Sequence, residues 1–293
     1  MNHVSLGEAY RQASERIDRR EARLLLEHAC ACSHVALISQ PEREMTAAQA
    51  DSFDRLIERR ISGEPLAYLL GSAWFCGLEF MVSPAVLIPR PETETLVNLA
   101  VERALALEQP RIVDLGTGSG IVAIMLALRY PQAVVTAVDV SAAALEVARL
   151  NAERHGVSIR FLEGDWFVPL GDERFDLIVS NPPYVQAGDS HLRENGLPFE
   201  PQQALTDGIG GGDGLGCIRH IVYGAPHHLQ PNGELLLEHG YDQAVEVRHL
   251  LSQAELTNVA SWRDEAGIER VSGGSLESIQ RRKEVFHGYS GSH

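Results

Sequence analysis

The tetrapeptide Asn181-Pro182-Pro183-Tyr184 presents the groups needed to hold a planar amino group. It directly follows Phe175–Ser180, an apolar run that predicts a buried strand. Neither proline has an N–H donor, and each biases the residue before it toward an extended backbone. The side-chain oxygen of Asn181 and a backbone carbonyl can therefore accept both hydrogens of one –NH₂ group, while Tyr184 offers a flat face.

A site of this kind would suit methyl transfer to nitrogen. A conjugated –NH₂ group is a poor nucleophile because its lone pair is delocalised. Two acceptors on its hydrogens fix its plane, direct the lone pair at the methyl carbon and stabilise the positive charge that develops on nitrogen. Alignment alone can lower the barrier by up to about 7–11 kcal/mol. The proton becomes acidic only after transfer, so no general base is required, and the sequence offers no convincing Ser/His/Asp arrangement.

A glycine-rich loop is the second candidate site. It follows the strand-like run Arg111–Leu115 and opens a predicted helix. Its residues are Gly116, Thr117, Gly118, Ser119 and Gly120. A dinucleotide-binding loop needs a third small residue where this chain has Ile121, so the pattern is G-x-G-x-G. Glycines allow the backbone to approach a ligand closely, whereas a pyrophosphate would require helix N–H groups directed at it.

Acidic residues beside the loop narrow the choice of ligand. Asp139 ends the second strand, and a carboxylate there can accept both hydroxyls of an unphosphorylated ribose. Asp114 adds a negative charge that suits a cationic ligand. A positively charged nucleoside without phosphate describes S-adenosyl-L-methionine, which would leave as S-adenosyl-L-homocysteine. Trp166 follows the third strand, where it could stack on the adenine, cover its edge or belong to the core.

Strands and helices alternate along the chain from about residue 86. Strand-like runs cover 111–115, 133–140, 158–162, 175–180 and 234–238. Helical patterns cover 119–130, 141–155, 214–229 and 242–252. Pro91 is typical of a first helical position. The alternation predicts an α/β fold with a mostly parallel sheet and helices on both faces. Ligands bind at the carboxyl ends of such strands, where both candidate sites lie.

The sequence predicts a small all-α domain over residues 1–72. A capping box at Asp18 precedes a helix whose predicted apolar stripe consists of Leu24, Leu25, His28 and Ala29. A second helix is predicted over 46–61, with Phe53, Leu56 and Ile57 facing inward. Aromatic and aliphatic residues interrupted by a glycine then predict a short hairpin. The predicted organisation is a helical domain at 1–72, a β-hairpin linker at 73–85, a catalytic domain at 86–275 and a disordered tail at 276–293.

Composition limits the possible partners. Apolar residues make up 44% and charged residues 22% of the chain, which is ordinary for a soluble globular protein. The net charge is −15 and the only basic cluster is at 281–283, so binding to nucleic acid phosphates is disfavoured. The four cysteines show no CxxC spacing, and the histidines show no metal-ligand pattern. With no signal sequence or membrane span, we expect a cytoplasmic protein without a metal.

Blocks distributed over residues 8–275 resemble the HemK/PrmC family of protein-(glutamine-N5) methyltransferases. The blocks are Glu27-His28, Gly63-Glu64-Pro65, residues 87–94, the glycine loop, Asp139, Asp165-Trp166-Phe167, the NPPY tetrapeptide, Phe199-Glu200-Pro201, Asp213-Gly214-Leu215 and Leu237-Glu238-His239-Gly240. The resemblance implies a Rossmann-like class I methyltransferase domain that uses S-adenosylmethionine. It also implies methylation of the glutamine in the Gly-Gly-Gln motif of class I peptide chain release factors, which the helical domain would help to grip.

The resemblance also implies roles for individual residues. The cofactor would contact the glycine loop from Gly116 to Gly120, together with Asp139, Trp166 and Asn181. The substrate amide would contact the four residues of the tetrapeptide, of which Asn181, Pro182 and Tyr184 are the catalytic candidates.

Three alternatives remain open from the sequence. A close relative within the family methylates a ribosomal protein, and that relative is expected to lack the Arg-Pro-Glu-Thr-Glu block. A DNA methyltransferase acting on adenine N6 or cytosine N4 would share the logic of the tetrapeptide, and a scaffold without activity would share the fold. The six glycines within residues 207–216 fit either a flexible surface loop or a lid over the bound substrate.

Overall fold

The computed structural model describes residues 4–194, 196–210 and 212–277. Two compact units make up the chain. The first comprises the residues up to Ala73 together with His191–Phe199, and the second comprises Trp74–Ser190 and the residues from Glu200 onward. Most of the predicted disordered tail, residues 278–293, lies outside the described residues.

The first unit is helical. Its helices are α1 (Leu6–Ser14), α2 (Arg19–Cys30), α3 (His34–Ser39), α4 (Ala47–Ile61) and α5 (Leu66–Leu70). Side chains cap the starts of α2 and α4. Asp18 accepts from backbone N–H groups in the first turn of α2, and Thr46 forms a full capping box with Gln49. The Glu21 carboxylate instead pairs with Arg60 at 2.7 Å, so it serves tertiary packing rather than the predicted box.

The predicted apolar stripe of α2 is correct for Leu25, which is buried, but wrong for Leu24, which is half-buried, and for His28, which is exposed. The face that packs into the core consists of Ala22, Leu25, Leu26 and Cys30. Both stripes have helical spacing, and the observed one buries two leucines and keeps the polar imidazole in water. The predicted inward face of α4 is confirmed, since Phe53, Leu56 and Ile57 are buried.

A two-stranded hairpin follows, and a larger array of strands and helices comes after it. The hairpin consists of β1 (Ser72–Phe75) and β2 (Leu78–Met81). The later helices are α6 (Thr93–Ala104), α7 (Ile121–Arg129), α8 (Ala142–Arg154), α9 (Gly216–His228) and α10 (Ala244–Gln253). The later strands are β3 (Arg111–Leu115), β4 (Val134–Asp139), β5 (Arg160–Glu163), β6 (Phe175–Ser180), β7 (Val185–Ala187), β8 (Thr206–Gly210), β9 (Leu229–Glu238), β10 (Thr257–Arg263) and β11 (Glu269–Ser275).

Seven strands form one sheet in the order β10-β11-β9-β6-β3-β4-β5. Neighbouring strands from β9 to β5 run parallel, while β11 runs antiparallel to both β9 and β10. The predicted α/β fold with a mostly parallel sheet is therefore confirmed. A separate parallel pair, β7 and β8, places a strand over the first part of the glycine-rich stretch that was expected to be a loop or a lid.

Several boundaries differ from the prediction. Pro91 lies in a turn before α6, which begins at Thr93 after Glu92 as its N-cap. Strand β9 begins at Leu229 rather than at residue 234. Strands β10 and β11 were not predicted, because Gly273 and Gly274 break the alternation of apolar side chains. A Cβ atom at Gly273 would lie 2.4 Å from the carbonyl oxygen of Leu235, so close pairing with β9 requires glycine there.

The sheet buries both faces, which explains the continuous apolar runs in its central strands. On one face, Ile112 and Leu177 pack against α6 and α7 in one core cluster. On the other face, Val113 and Ile178 pack against α9 and α10 in a second cluster. The carboxyl ends of these rigid strands then position the loops described below. No helix in the described ranges is both long and apolar enough to cross a membrane.

Candidate active site

A cavity of about 480 Å³ opens at the carboxyl ends of β3, β4, β5 and β6. The glycine loop follows β3, Asp139 ends β4, Trp166 follows β5 and Asn181 follows β6. The loop residues 116–119 line the cavity together with Asp139, Trp166 and Asn181, whereas Gly120 is not among the described residues of its wall. Residues 85–87, 89–90, 201–204 and 206–208 also contribute to its wall. Its size lies within the range of about 300–1,000 Å³ that small-molecule ligands occupy.

The three glycines of the loop all have left-handed backbones, with φ of +72° at Gly116, +56° at Gly118 and +83° at Gly120. This conformation is strained for residues with a Cβ atom. The N–H groups of Gly116 and Thr117 both donate to the carbonyl oxygen of Val138, at 2.8 and 3.0 Å. The alternating glycines therefore allow the loop to fold tightly against β4. The sequence analysis had explained these glycines only by close approach to a ligand.

Asp139 combines a structural role with unused acceptor capacity. Its Oδ2 accepts from the N–H of Gly118 at 2.8 Å, and its Oδ1 accepts from the N–H of Ser141 at 2.9 Å. A carboxylate has about four lone-pair sites, so both oxygens can accept a further hydroxyl. Burial raises the pKa of Asp139, although the backbone N–H groups that donate to it counter part of this rise.

Asp114 lines the cavity and is also hydrogen-bonded within the loop. Its Oδ2 accepts from the hydroxyl of Thr117 at 2.6 Å and from the N–H of Ala123 at 3.3 Å. Burial raises the pKa of Asp114 to about 7, and these hydrogen bonds oppose the rise. The expectation that Asp114 contributes a negative charge beside the loop stays a prediction.

Trp166 belongs both to the cavity wall and to the core. It is half-buried, packs against the second core cluster and lines the cavity. A Cβ atom added at Gly116 would lie 3.3 Å from the indole ring, so the ring closes on the glycine loop. Trp166 itself has φ of +43°, an uncommon conformation for a large residue. The two alternatives of the sequence analysis, ligand contact and core packing, are compatible.

The Asn181 side chain has a defined orientation. Its Nδ2 donates to the hydroxyl oxygen of Thr93 at 3.1 Å. Thr93 lies at the start of α6 and is only 1% exposed. The nitrogen end of the amide is thus engaged, and the Oδ1 end remains as an acceptor on a residue that lines the cavity.

The four residues of the tetrapeptide occupy different environments. Asn181 and Pro183 line the cavity, whereas Pro182 is buried. Tyr184 packs against the second core cluster, and its hydroxyl lies 3.4 Å from Oε1 of Glu238. Among the residues that the structure describes at the cavity wall, neither Pro182 nor Tyr184 appears. The flat face assigned to Tyr184 therefore stays a prediction.

Two residues outside the tetrapeptide hold its backbone. Gln243 donates from Nε2 to the carbonyl oxygen of Tyr184 at 3.0 Å, and its Oε1 accepts from the N–H of Gly240 at 2.8 Å. On the other side, a Cβ atom at Gly214 would lie only 2.4 Å from the same Tyr184 oxygen. The loop after β6 is therefore packed in a fixed position.

We expect Gly214→Ala to destabilise the protein more than Gly267→Ala. The two glycines have similar φ, +74° and +79°, so both substitutions carry the same backbone strain of about 1–2 kcal/mol. Around Gly267 no described atom lies within 4 Å of an added Cβ, whereas at Gly214 the methyl group would collide with backbone. Urea unfolding should give Gly214→Ala an additional loss of about 2 kcal/mol. Equal losses in the two variants would show that this contact is not tight.

Comparison with known proteins identifies the family. Residues 7–71 match the family described as "PrmC N-terminal domain", and residues 93–195 match "Methyltransferase small domain". The chain is 49% identical to the release factor glutamine methyltransferase of Bordetella pertussis over 261 residues, which cover 89% of this chain and 96% of that protein. The chain belongs to the release factor glutamine methyltransferase family. It is also 48% identical to the member from Xylella fastidiosa strain Temecula1, over 89% of this chain and 94% of that one.

A solved structure outside the release factor glutamine methyltransferase family shares the fold. It is the 16S rRNA N2 G1207 methyltransferase of T. thermophilus, in complex with AdoMet and guanosine. The match has a TM-score of 0.52 and 21% identity, and covers 70% of this chain and 50% of that one. The predicted Rossmann-like methyltransferase fold and the predicted family are both confirmed.

Sequence reasoning assigned no role to the residues that support the site in this family member, although Thr93 and Glu238 lie within blocks that carry the family resemblance. Thr93, Glu238 and Gln243 lie far apart in the sequence, and only the fold brings them to the tetrapeptide. One indication was available, because Glu238 is a charged residue at the end of a run of leucines. In the register of β6 with β9, Ser180 pairs with Leu237, so the residues that follow them emerge side by side.

We expect Glu238→Gln to change how the free energy of unfolding depends on pH. Burial raises the pKa of Glu238 from its ordinary value near 4.5 to about 7. Between these values the folded state holds a proton that the unfolded state has lost, so stability falls as pH rises through this window and is constant above it. Glutamine does not titrate, so its stability relative to wild type should increase between about pH 4.5 and pH 7, by up to about 3 kcal/mol.

The measurement is urea unfolding of both proteins across this window. Asp114, which has a similarly raised pKa, is present in both, so the difference isolates Glu238. A difference that is constant with pH would contradict a buried, protonated Glu238.

Proposed function

We propose that the protein transfers a methyl group from S-adenosyl-L-methionine to the side-chain amide nitrogen, N5, of the glutamine in the Gly-Gly-Gln motif of class I peptide chain release factors. The names of the relatives support this substrate. The observation that carries the chemistry is the Asn181 amide, whose nitrogen is engaged by Thr93 and whose oxygen is left as an acceptor. A carboxamide –NH₂ group is the partner that such an oxygen recognises.

The residues around the cavity fit the proposed methyl donor. Asp139 has acceptor capacity for two ribose hydroxyls, and Trp166 supplies a flat apolar surface for an adenine. An added Cβ at Gly118 would meet no described atom within 4 Å, so the loop leaves open space beside it. When bound, the donor supplies an electrophilic methyl group on a sulfonium.

The chain itself would orient and polarise the acceptor amide. The Asn181 oxygen and the Pro182 carbonyl would each accept one hydrogen of the glutamine –NH₂ group, and the prolines add no competing N–H donor. These two acceptors would stabilise the positive charge that develops on the nitrogen. They are preorganised, because Thr93 orients Asn181 and Gln243 holds the loop.

The helical unit and the location of the protein form part of the same proposal. We infer that residues 1–72 help to grip the release factor, in agreement with the match of residues 7–71 to the PrmC N-terminal domain. Because release factors act in translation, the cytoplasm is the expected location. A hairpin linker at 73–85 and a catalytic domain at 86–275 complete the proposed organisation.

The alternative substrates are less well supported. A DNA methyltransferase must hold phosphates, and the net charge of −15 opposes this. The curated relatives described above are named for release factors rather than for a ribosomal protein. An inactive scaffold would not be expected to preserve the oriented Asn181 and the left-handed glycines together.

Labelled methyl transfer tests the proposal. The purified protein is incubated with methyl-labelled S-adenosylmethionine and a purified class I release factor, and the label is mapped by peptide mass spectrometry. We expect label on the glutamine of the Gly-Gly-Gln motif, and none when that glutamine is replaced by alanine. Parallel incubations contain ribosomal protein or duplex DNA. Label only in one of these, or on another residue of the release factor, would overturn the proposed substrate.

A further inference from the structure

The Asn181 amide donates to Thr93, so its orientation depends on the other hydrogen bonds that the Thr93 hydroxyl can make. A threonine hydroxyl has one hydrogen to donate and two lone pairs that accept. Thr93 accepts from Nδ2 of Asn181 at 3.1 Å. The carboxyl group of Glu238 lies beside the same side chain, which lowers the pKa of Glu238 against the rise caused by burial. If the hydroxyl hydrogen is given to Glu238, the oxygen of Thr93 can only accept from Asn181, and the amide must turn its nitrogen toward Thr93.

Burial protects the hydrogen bonds of the Thr93 hydroxyl from competition by water. Thr93 and Glu238 are each only 1% exposed, so bulk water does not compete for the hydroxyl. Tyr184 also approaches the carboxyl group, with its hydroxyl 3.4 Å from Oε1. The second carboxyl oxygen, Oε2, is buried and has no hydrogen-bond partner within the described part of the chain. An unpaired buried oxygen lowers the stability of the folded protein, so stability alone does not explain this carboxyl group beside the tetrapeptide.

The fold places these groups together rigidly. Glu238 ends β9, which pairs with β6 in parallel, and Asn181 directly follows β6. Thr93 is the first residue of α6, which packs on the sheet through the first core cluster. Three separate elements therefore meet at one amide, and none of them depends on a mobile side chain at the surface.

We propose that Thr93 and Glu238 are positioning residues, which act through Asn181 and hold its oxygen toward the acceptor nitrogen. This inference rests on the proposed function, because only an amide acceptor requires the oxygen end. With the amide reversed, the –NH₂ group of Asn181 would face the –NH₂ group of the substrate. Two donors would then oppose each other, and one contact on the acceptor nitrogen would be lost.

Thr93→Val tests the proposal, with Thr93→Ser as the matched control. Valine has nearly the shape of threonine but no hydroxyl, whereas serine keeps the hydroxyl. We expect Thr93→Val to lower kcat by roughly 10- to 100-fold, less than direct loss of an oriented polar group. The dissociation constant of S-adenosylhomocysteine should change by less than about twofold, since Thr93 acts on the amide alone. Thr93→Ser should recover kcat to within about threefold of wild type.

A double variant shows whether the effect passes through Asn181. In an Asn181→Ala background, Thr93→Val should lower kcat by no more than about twofold further, because the amide that it orients is already absent. Full additivity of the two losses would overturn the inference, as would wild-type kcat in Thr93→Val. Thermal unfolding of each variant identifies any that fail to fold. If Thr93→Val does not fold, the kcat of Thr93→Ser is the remaining test, and a loss larger than about threefold would contradict the proposal.

A readout that needs no turnover separates this inference from the proposed function. The side-chain NH₂ resonances of Asn181 in nitrogen-15 spectra should show slow hydrogen exchange in wild type and in Thr93→Ser. In Thr93→Val the exchange should be at least about tenfold faster, since the buried acceptor is gone. Unchanged exchange in Thr93→Val would overturn the positioning role. Absence of glutamine methylation by the wild type would overturn the proposed function instead.

Discussion

Asn181→Ala is expected to reduce kcat for glutamine methylation by about 10²- to 10³-fold, which corresponds to a loss of roughly 2.7–4 kcal/mol of transition-state stabilisation. The variant removes the oxygen that would accept from the substrate –NH₂ group and leaves the glycine loop and Asp139 in place. Cofactor affinity should therefore change much less than turnover. Single-turnover methyl transfer to a release factor, with calorimetry of S-adenosylhomocysteine binding, measures both quantities.

Asn98→Ala provides the matched control for this prediction. Asn98 is exposed on α6 and accepts a hydrogen bond from Arg129 at 2.5 Å, away from the residues that line the cavity. Its removal should leave kcat within about twofold of wild type, as is usual for a surface substitution. If Asn181→Ala behaved like Asn98→Ala, the role assigned to the Asn181 oxygen would be wrong.

Asp139→Ala should weaken cofactor binding by roughly a hundredfold, with a smaller effect on kcat at saturation. Its carboxylate is expected to accept two ribose hydroxyls, and hydrogen bonds to a charged group contribute about 1.5–3 kcal/mol each. The substitution also removes the acceptor of the Gly118 N–H, so the loop loses part of its support. Calorimetric titration with S-adenosylhomocysteine measures the change without any chemistry.

Glu163→Ala is the control for Asp139, because it alters a carboxylate at the same edge of the sheet. Glu163 pairs with Asp139 in the register of β4 with β5 but is exposed. Its replacement should change the dissociation constant by less than about twofold. Equal losses of affinity in the two variants would indicate a general electrostatic effect instead of a ribose contact.

The sequence was sufficient for features that depend on local chemistry. The glycine spacing at 116–120 and the double proline at 182–183 determine the local backbone conformation and its N–H donors. Asp139 supplies a carboxylate at a position that can be recognised from its neighbours in the sequence. Their placement on consecutive strands then follows from the alternation of strands and helices, because the carboxyl ends of parallel strands share one edge. For this reason the cavity contains most of the predicted residues.

Features that depend on tertiary neighbours could not be predicted. In the sequence, Thr93 is an ordinary helix residue and Glu238 is an ordinary strand residue. Their importance follows only from the fold, in which α6 and β9 place them near Asn181. The raised pKa of Asp114, about 7, results from burial that its position beside a glycine loop does not reveal. Tyr184 was assigned to the substrate from its chemistry, but its hydroxyl approaches Glu238. Strand β11 escaped prediction because close packing required Gly273 where an apolar side chain was expected.

The central claim is that the Asn181 oxygen and the Pro182 carbonyl hold the two hydrogens of the substrate carboxamide. A crystal structure of the protein with S-adenosylhomocysteine and a peptide containing Gly-Gly-Gln tests it most directly. The account predicts that the glutamine side-chain nitrogen lies about 2.7–3.2 Å from both oxygens and faces the sulfur of the bound product. A glutamine side chain that lies outside this grip, or an Asn181 nitrogen that faces it, would contradict the account.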